Sequence, residues 1–487
     1  MFSRKLKIGY FVLEGLNSFA TVYYFYYFYF FMQKQFGFGN KANLILAALN
    51  GATYAICCFF AGKLAQRGYF RALKTGFIVM AGALAAGLFL NSAVGQVLVM
   101  VMAVVGMCFT WPTLEALVSE GENRAGVQHM VGVYNVVWAA TAALGNFTGG
   151  AMLTHLGLKS LFYVPLASLL GQIALTFWLE RLAQLSHPPA TAIKSAADTL
   201  PINRAACASF LQAWLRKKER ASSPQPSPPV EEREQASPGN PGPPLRLWGR
   251  GDRGEVARPG SSSQCIGQSE SGLPEPGAPC SSLGAPHSAS GAKDSASPPT
   301  TALAFLRMAW LANPFAYIGI NTLVAVMPGI ALRLGLSTTL AGFCCSAWCF
   351  SRLGAFFGLW LWDGWHYRFR WLLFAYLCLV GSFIWVLLAP GVAVLVVAQL
   401  VFGGAAGLIY YSSLFYSMDL SDTKGEHGGF HEAAIGLGNF AGPGVGAAAL
   451  QFIPQYSNSG AFAVTLLLLG GLGGLAIIWR HRNTAAS

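Results

Sequence analysis

In the stretch FVLEGLNSFATVYYFYYFYFFM, residues 11–32, one carboxylate interrupts an otherwise apolar and aromatic run. Glu14, Asn17, Ser18 and Thr21 follow one another at i, i+3, i+4 and i+7, which sets them on one face of a helix, and Tyr24 continues the stripe. A run of this length reads as a membrane span, and an ionisable group inside a span is costly enough to mark function by default. Taking a carboxylate out of water disfavours its charged form, so Glu14 has the chemistry to take up and give back one proton. A structural pairing with a Lys, an Arg or a neighbouring helix is the alternative. At 1.5 Å rise per residue, the position lies about 10 Å inside the span.

Other polar groups stand in apolar runs. Trp111 and Glu115 share a helix face, Asn313, Tyr317 and Asn321 recur at four-residue intervals, and Tyr410, Tyr411 and Ser413 form a third group. Glu115, nearer a span end, is expected to meet a basic loop. Arg352, in CCSAWCFSRLGAFFG, has two readings: helix packing next to a loop, or an anchor for an anionic substrate. His431 and Glu432, in GGFHEAAIG, read as a surface cap or as a titratable pair. The aromatic run Tyr23 to Phe31 is expected to face lipid and anchor the interface. No phosphate-cradling glycine loop, metal-ligand spacing or nucleophile elbow occurs, so no catalytic residue, metal or cofactor is expected and the chain does not read as an enzyme.

These residues sit in a chain of 487 residues that is 54% hydrophobic and only 11% charged, a balance foreign to soluble domains. Apolar runs of about 20 residues predict an all-α membrane protein of twelve spans. Six lie near 8–32, 43–63, 72–91, 95–119, 130–153 and 159–180, and six near 306–332, 336–361, 370–390, 392–418, 430–452 and 458–479. The first run is too long and aromatic for a removable signal peptide and is expected to stay as the first helix. The net charge of +12 reflects topology rather than nucleic-acid binding. Arg4, Lys5 and Lys7, then Lys63, Arg67, Arg71 and Lys74, then Arg368 and Arg370, then Arg480 and Arg482 fall on one side, which places both termini in the cytoplasm of a multi-pass cell-membrane protein. None of the ten cysteines falls in a predicted extracytoplasmic loop, so no disulfide is expected.

Residues 182–302 differ in character: they are rich in Pro, Ser and Gly and too poor in apolar residues to build a core, so a disordered cytoplasmic linker is expected between an N-terminal bundle, 1–181, and a C-terminal bundle, 303–487. The bundles repeat one another. Leu-Gly-Asn-Phe-x-Gly occurs at Leu144 to Gly149 and again at Leu437 to Gly442, and the loops GKLAQRGYFRALK and GLWLWDGWHYRFRWL fall in register. A parallel repeat of six spans is one transporter architecture.

These residues resemble the major facilitator superfamily. Gly62, Leu64, Ala65, Arg67 and Gly68 fit its loop signature between the second and third spans, with Arg71 as the following base, while Gln66 stands where the family has Asp. Gly358, Asp363, Arg368 and Arg370 form the C-terminal copy. The resemblance implies that this loop is a cytoplasmic latch in which charges pair across spans, with Glu115, Glu120 or Glu122 substituting for the missing acid. It also implies that spans 1, 4, 7 and 10 line a central cavity. Glu14 is then the proton-coupling candidate, and Asn17, Ser18, Thr21, Tyr24, Trp111, Asn313, Tyr317, Asn321, Tyr410, Tyr411 and Arg352 are candidates for lining the cavity. The implied function is alternating-access transport of a small organic solute, as proton symport by a monomer in the lipid bilayer. Organic-anion symport anchored by Arg352, efflux antiport, and a sensor or assembly protein that no longer transports are the alternatives. The acidic-Gly pair Glu14-Gly15 together with Arg352 is similar to the monocarboxylate branch.

Overall fold

The computed structural model describes residues 2–65, 68–122, 124–186, 299–420 and 424–484. The first half folds as Phe2–Phe36, Asn40–Ala65, Tyr69–Gly87, Ala93–Ser119, Arg124–His155 and Ser160–Ser186. The second folds as Pro299–Arg333, Thr338–Cys345 with Ala347–Leu361, Phe369–Leu387, Val392–Leu420, Lys424–Phe452 and Ser459–Thr484. These are spans 1 to 12, the eighth consisting of two helices that meet at Ser346. Most of the expected linker, residues 187–298, lies outside the described residues.

Eleven of the twelve are long and apolar enough to cross a membrane. Span 1 falls below them in hydropathy because tyrosines and the Glu14 stripe dilute its apolar residues, although 35 residues make it the equal of the longest. Local chemistry sets the ends. Ser92 Oγ accepts from Gly95 N at 3.1 Å and opens span 4, and Ser337 Oγ accepts from Leu340 N at 3.2 Å and opens span 8. Spans 1 and 7 both stop at a left-handed glycine, Gly37 with φ 71° and Gly335 with φ 64°, a conformation that lacks a Cβ penalty only in glycine.

The aromatic run of span 1 does not face lipid as expected. Tyr23, Tyr24, Tyr27, Phe28, Tyr29, Phe30 and Phe31 are all buried in protein. Spans 4, 5, 6 and 7 all pack on this helix, leaving only a narrow strip such as Ile8 and Val12 to the outside. Tyr23 bonds Ser160 Oγ at 2.7 Å, and the Tyr27 hydroxyl donates to the Asn146 carbonyl, so the phenols satisfy span 5 and the start of span 6.

The internal repeat has a packing meaning. Gly145 approaches the backbone of Phe19 in span 1, and its counterpart Gly438 approaches the backbone of Pro314 in span 7. Each repeat thus seats span 5 on span 1, or span 11 on span 7, through a glycine that lets backbones close up. The same two spans make the most extensive contacts between halves: span 5 packs along span 8, and span 11 along span 2. On the face away from the termini, a Cβ at Gly150 would come within 2.3 Å of the Thr338 carbonyl oxygen. On the terminal side, one at Gly132 would come within 2.7 Å of Trp360. The halves therefore meet on both sides of the molecule's middle.

A Cβ at Gly51 would stand 2.2 Å from the Phe440 backbone nitrogen, where neither helix can yield by a rotamer change. Gly51→Ala is expected to weaken the seam between spans 2 and 11 and to lower stability by about 1–3 kcal/mol, read as a lower midpoint of thermal unfolding in detergent. Gly82→Ala, at a position with open space, is the control and should leave the midpoint unchanged.

Candidate functional site

A cavity of about 150 Å³ lies between the halves. Its N-terminal wall is aromatic, with Phe25, Tyr26 and Tyr29 from span 1, Trp111 from span 4 and Trp138 from span 5, and with Tyr54 from span 2. Its C-terminal wall carries the charges and amides: Arg352 from span 8, Glu432 and Asn439 from span 11, and Asn321 from span 7. Of the residues expected to line a cavity, Thr21, Trp111, Tyr317, Asn321, Tyr410 and Arg352 do so.

The rest are buried elsewhere. Asn17 donates to Thr110 Oγ1 at 3.3 Å and ties span 1 to span 4. Ser18 donates to Glu14 Oε1 at 2.9 Å. Tyr24 packs edge-on against Phe162, Asn313 is buried without a side-chain partner, and Tyr411 turns to Trp365. Glu14 itself is fully buried outside the cavity wall, with Oε2 unpartnered.

Arg352 is 4% exposed, and among the described residues no carboxylate lies within ion-pair distance of it. Two indole rings hold it instead. Its guanidinium carbon stands 4.4 Å from the centroid of Trp138 and 4.6 Å from that of Trp348. Trp138 comes from span 5 and Trp348 from span 8, so one ring from each half grips the cation. Each such contact contributes about 0.5–2 kcal/mol, far short of replacing a counter-ion in a dry site. Arg352 Nε has no hydrogen-bond acceptor. Above it, Tyr26 stacks on Trp348 with centroids 6.0 Å apart and planes within 12°, roofing the cavity toward the face away from the termini.

Glu432, expected at a surface cap, is buried at 6% exposure and lines the cavity. Tyr54 donates to its Oε2 at 2.5 Å across the seam between halves, a length typical of a hydroxyl bonded to a carboxylate. Neighbouring His431 is buried as well, with Nδ1 3.4 Å from Ser413 Oγ. Beside it, the Asn321 amide donates to Asn439 Oδ1. Glu115 is also buried and makes no ion pair among the described residues, contrary to the expected basic partner.

The loop signature differs from a latch built on charges. Gly62 and Leu64 belong to span 2, Gly68 precedes span 3, Arg71 is exposed on span 3, and Arg67 lies outside the described residues. Lys7 takes the structural role at the terminal face, donating to the carbonyls of Val118 and Glu120 at 2.7 Å each and pairing with Glu122 at 3.5 Å. In the second half, Asp363 forms no ion pair with Arg368 or Arg370 among the described residues. Gly358 faces open space. The loop is held by buried Trp365, whose indole donates to the Leu359 carbonyl at 3.2 Å, and by the Tyr416 hydroxyl, which accepts from Tyr367 N at 3.0 Å.

Two repeated six-span halves around a midplane cavity that holds one guanidinium and one carboxyl define a transporter of the secondary type. The sequence matches the Major Facilitator Superfamily over residues 11–443, and the chain belongs to that superfamily. No curated protein matches it in sequence. Among solved structures it is similar to the human organic anion transporter MFSD10 (TETRAN), at 12% identity and a TM-score of 0.55, covering 98% of this chain and 99% of that one. It is also similar to the nucleoside transporter NupG, at 11% identity and a TM-score of 0.54 with 98% of each chain covered, and to a single-residue variant of NupG at 12% and 0.57, covering 98% and 99%. Identities this low speak for the fold alone.

Removing one of the two rings that grip Arg352 leaves a buried cation half-held. Trp138→Leu is expected to cost about 1–2 kcal/mol in thermal unfolding, and Trp385→Leu, on the outer surface at 59% exposure, close to nothing. Equal losses in the two variants would show that the indole–guanidinium contact contributes nothing.

Proposed function

We propose that the protein carries a small organic anion across the membrane together with a proton, by alternating access of its two halves around the central cavity. One observation carries this reading: a buried guanidinium in the cavity wall with no carboxylate at ion-pair distance among the described residues. A buried cation of this kind is stabilised when a ligand brings the missing negative charge, and ligand binding at a seam touched by both halves biases how they rock. The aromatic wall suits a flat apolar body, and an engineered cavity of about 150 Å³ holds a benzene ring, so the solute is ring-sized in this form. The similar fold of an organic anion transporter supports the same solute class by analogy of architecture only.

The halves 1–181 and 303–487 act as the rocking bodies, 182–302 joins them as a cytoplasmic linker, and both termini are cytoplasmic in a cell-membrane monomer. Coupling to protons follows from buried carboxyls, Glu432 in the cavity wall and Glu14 behind it, because ionised acids in a dry site resist closure and protonated ones do not.

Purified protein in proteoliposomes containing a pH-sensitive dye tests this against pools of small anions and neutral solutes. Anions are expected to drive proton entry in the wild type, and Arg352→Gln to reduce it at least about 30-fold, the loss expected for truncating one partner of a desolvated charge pair. Proton entry driven by neutral solutes and unchanged in Arg352→Gln would contradict the proposal.

A further inference from the structure

Three carboxyls are buried within the bundle: Glu14 of span 1, Glu115 of span 4 and Glu432 of span 11. They lie within electrostatic reach of each other, and no Lys or Arg is paired with any of them among the described residues. The three differ in access. Only Glu432 lines the cavity; Glu14 and Glu115 sit behind the wall. They differ in partners too. Glu432 is bonded to Tyr54 from the opposite half, whereas Glu14 is bonded to Ser18 of its own helix.

We infer that Glu432, rather than Glu14, is the carboxyl that binds the coupled proton, with Glu14 and Glu115 acting on it through their charge. The inference rests on the proton coupling proposed above and names its site. A hydronium ion reaching the cavity gives its proton to the Glu432 carboxylate, leaving water and a neutral acid, and the same proton passes to a water molecule when the cavity opens to the other side. No other bond changes. The Tyr54 hydroxyl donates to Glu432 across the seam between spans 2 and 11, so the protonation state of Glu432 alters a contact between the rocking bodies themselves. The partners of Glu14, Ser18 and Tyr134 of span 5, belong to its own half and give it no such lever.

Most of the groups around Glu432 are weak acids. Span 2 presents Tyr54 and Cys58, span 4 presents Glu115 and span 1 presents Glu14. From spans 5, 7 and 10 come Tyr134, Tyr317 and Tyr410, and His431 is adjacent on the same helix. Arg352 is the one cation on the cavity wall. Acids that interact this closely share protons as a set, so loading Glu432 is felt by the other two. A bound anion at Arg352 enters the same electrostatic balance, which ties the proton to the solute without direct contact between them.

A ligand-free experiment separates this from the transport reading. Spin labels carried on non-canonical residues at positions 156 and 332, at the ends of spans 5 and 7, report the separation of the halves on the face away from the termini. Distance distributions in lipid nanodiscs are recorded from pH 5 to 9. The wild type is expected to shift population with pH, Glu432→Gln to lose that shift, Tyr54→Phe to weaken it because the contact across the seam is gone, and Glu14→Gln to keep it with a displaced midpoint. Tyr54→Phe retains the carboxyl and so reports on the site even where Glu432→Gln folds poorly. A wild-type response preserved in Glu432→Gln, or lost in Glu14→Gln alone, overturns the assignment while leaving proton coupling intact. A wild type indifferent to pH overturns the coupling itself.

Discussion

A buried guanidinium with no carboxylate at ion-pair distance among the described residues is the constraint around which the centre of this protein is arranged. In low dielectric such a charge is destabilising by several kcal/mol unless its surroundings compensate. Here two indole faces, one from each half, supply part of the compensation, and the remainder is left open. In the proposed function, the seam that closes over Arg352 is completed by an anion and left wanting without one. A pair such as Arg–Glu at the same place would have made a permanent strut instead.

That arrangement needs the halves to come close without fusing. The glycines of the internal repeat provide this, because Gly145 and Gly438 seat spans 5 and 11 on spans 1 and 7, while Gly51 and Gly150 let spans 2 and 5 touch the other half backbone to backbone. The repeat is not a mirror in chemistry. Trp138 stands six residues before Leu144 as His431 stands six before Leu437, and both rings touch Tyr410, at centroid distances of 5.6 and 5.5 Å. On the cavity wall, the first half thus supplies most of the aromatic rings and the second half the two charged groups.

The fold was legible because each span is a long apolar run and the Leu-Gly-Asn-Phe-x-Gly repeat survives in both halves. The stripe of span 1 was also legible as buried polarity, since helical spacing fixes a shared face. What the spacing could not show is depth between helices. It placed Glu14, Asn17 and Ser18 on an inward face, and that face turns out to meet span 4 and neighbouring helices rather than the cavity. Spans 2, 5, 8 and 11 contribute Tyr54, Trp138, Arg352 and Glu432, and their role depends on close approach between halves, which a single helix pattern does not encode. The aromatic run misled for the same reason: a helix packed by four neighbours keeps only a narrow outward strip. Asn439, inside the repeat and absent from the expected site, was the signal available, since an amide kept in both copies amid glycines marks a buried contact.

The most direct test of the account is ligand-dependent stability of the purified protein, because a ligand that binds the folded state raises its unfolding midpoint. Benzenesulfonate, a ring-sized permanent anion, is compared with benzenesulfonamide, its neutral analogue, on the wild type and on Arg352→Gln. The account predicts that the anion alone raises the wild-type midpoint and that Arg352→Gln shows no rise. Stabilisation by the neutral compound, or by the anion equally in Arg352→Gln, would contradict the central role given to the unpaired guanidinium.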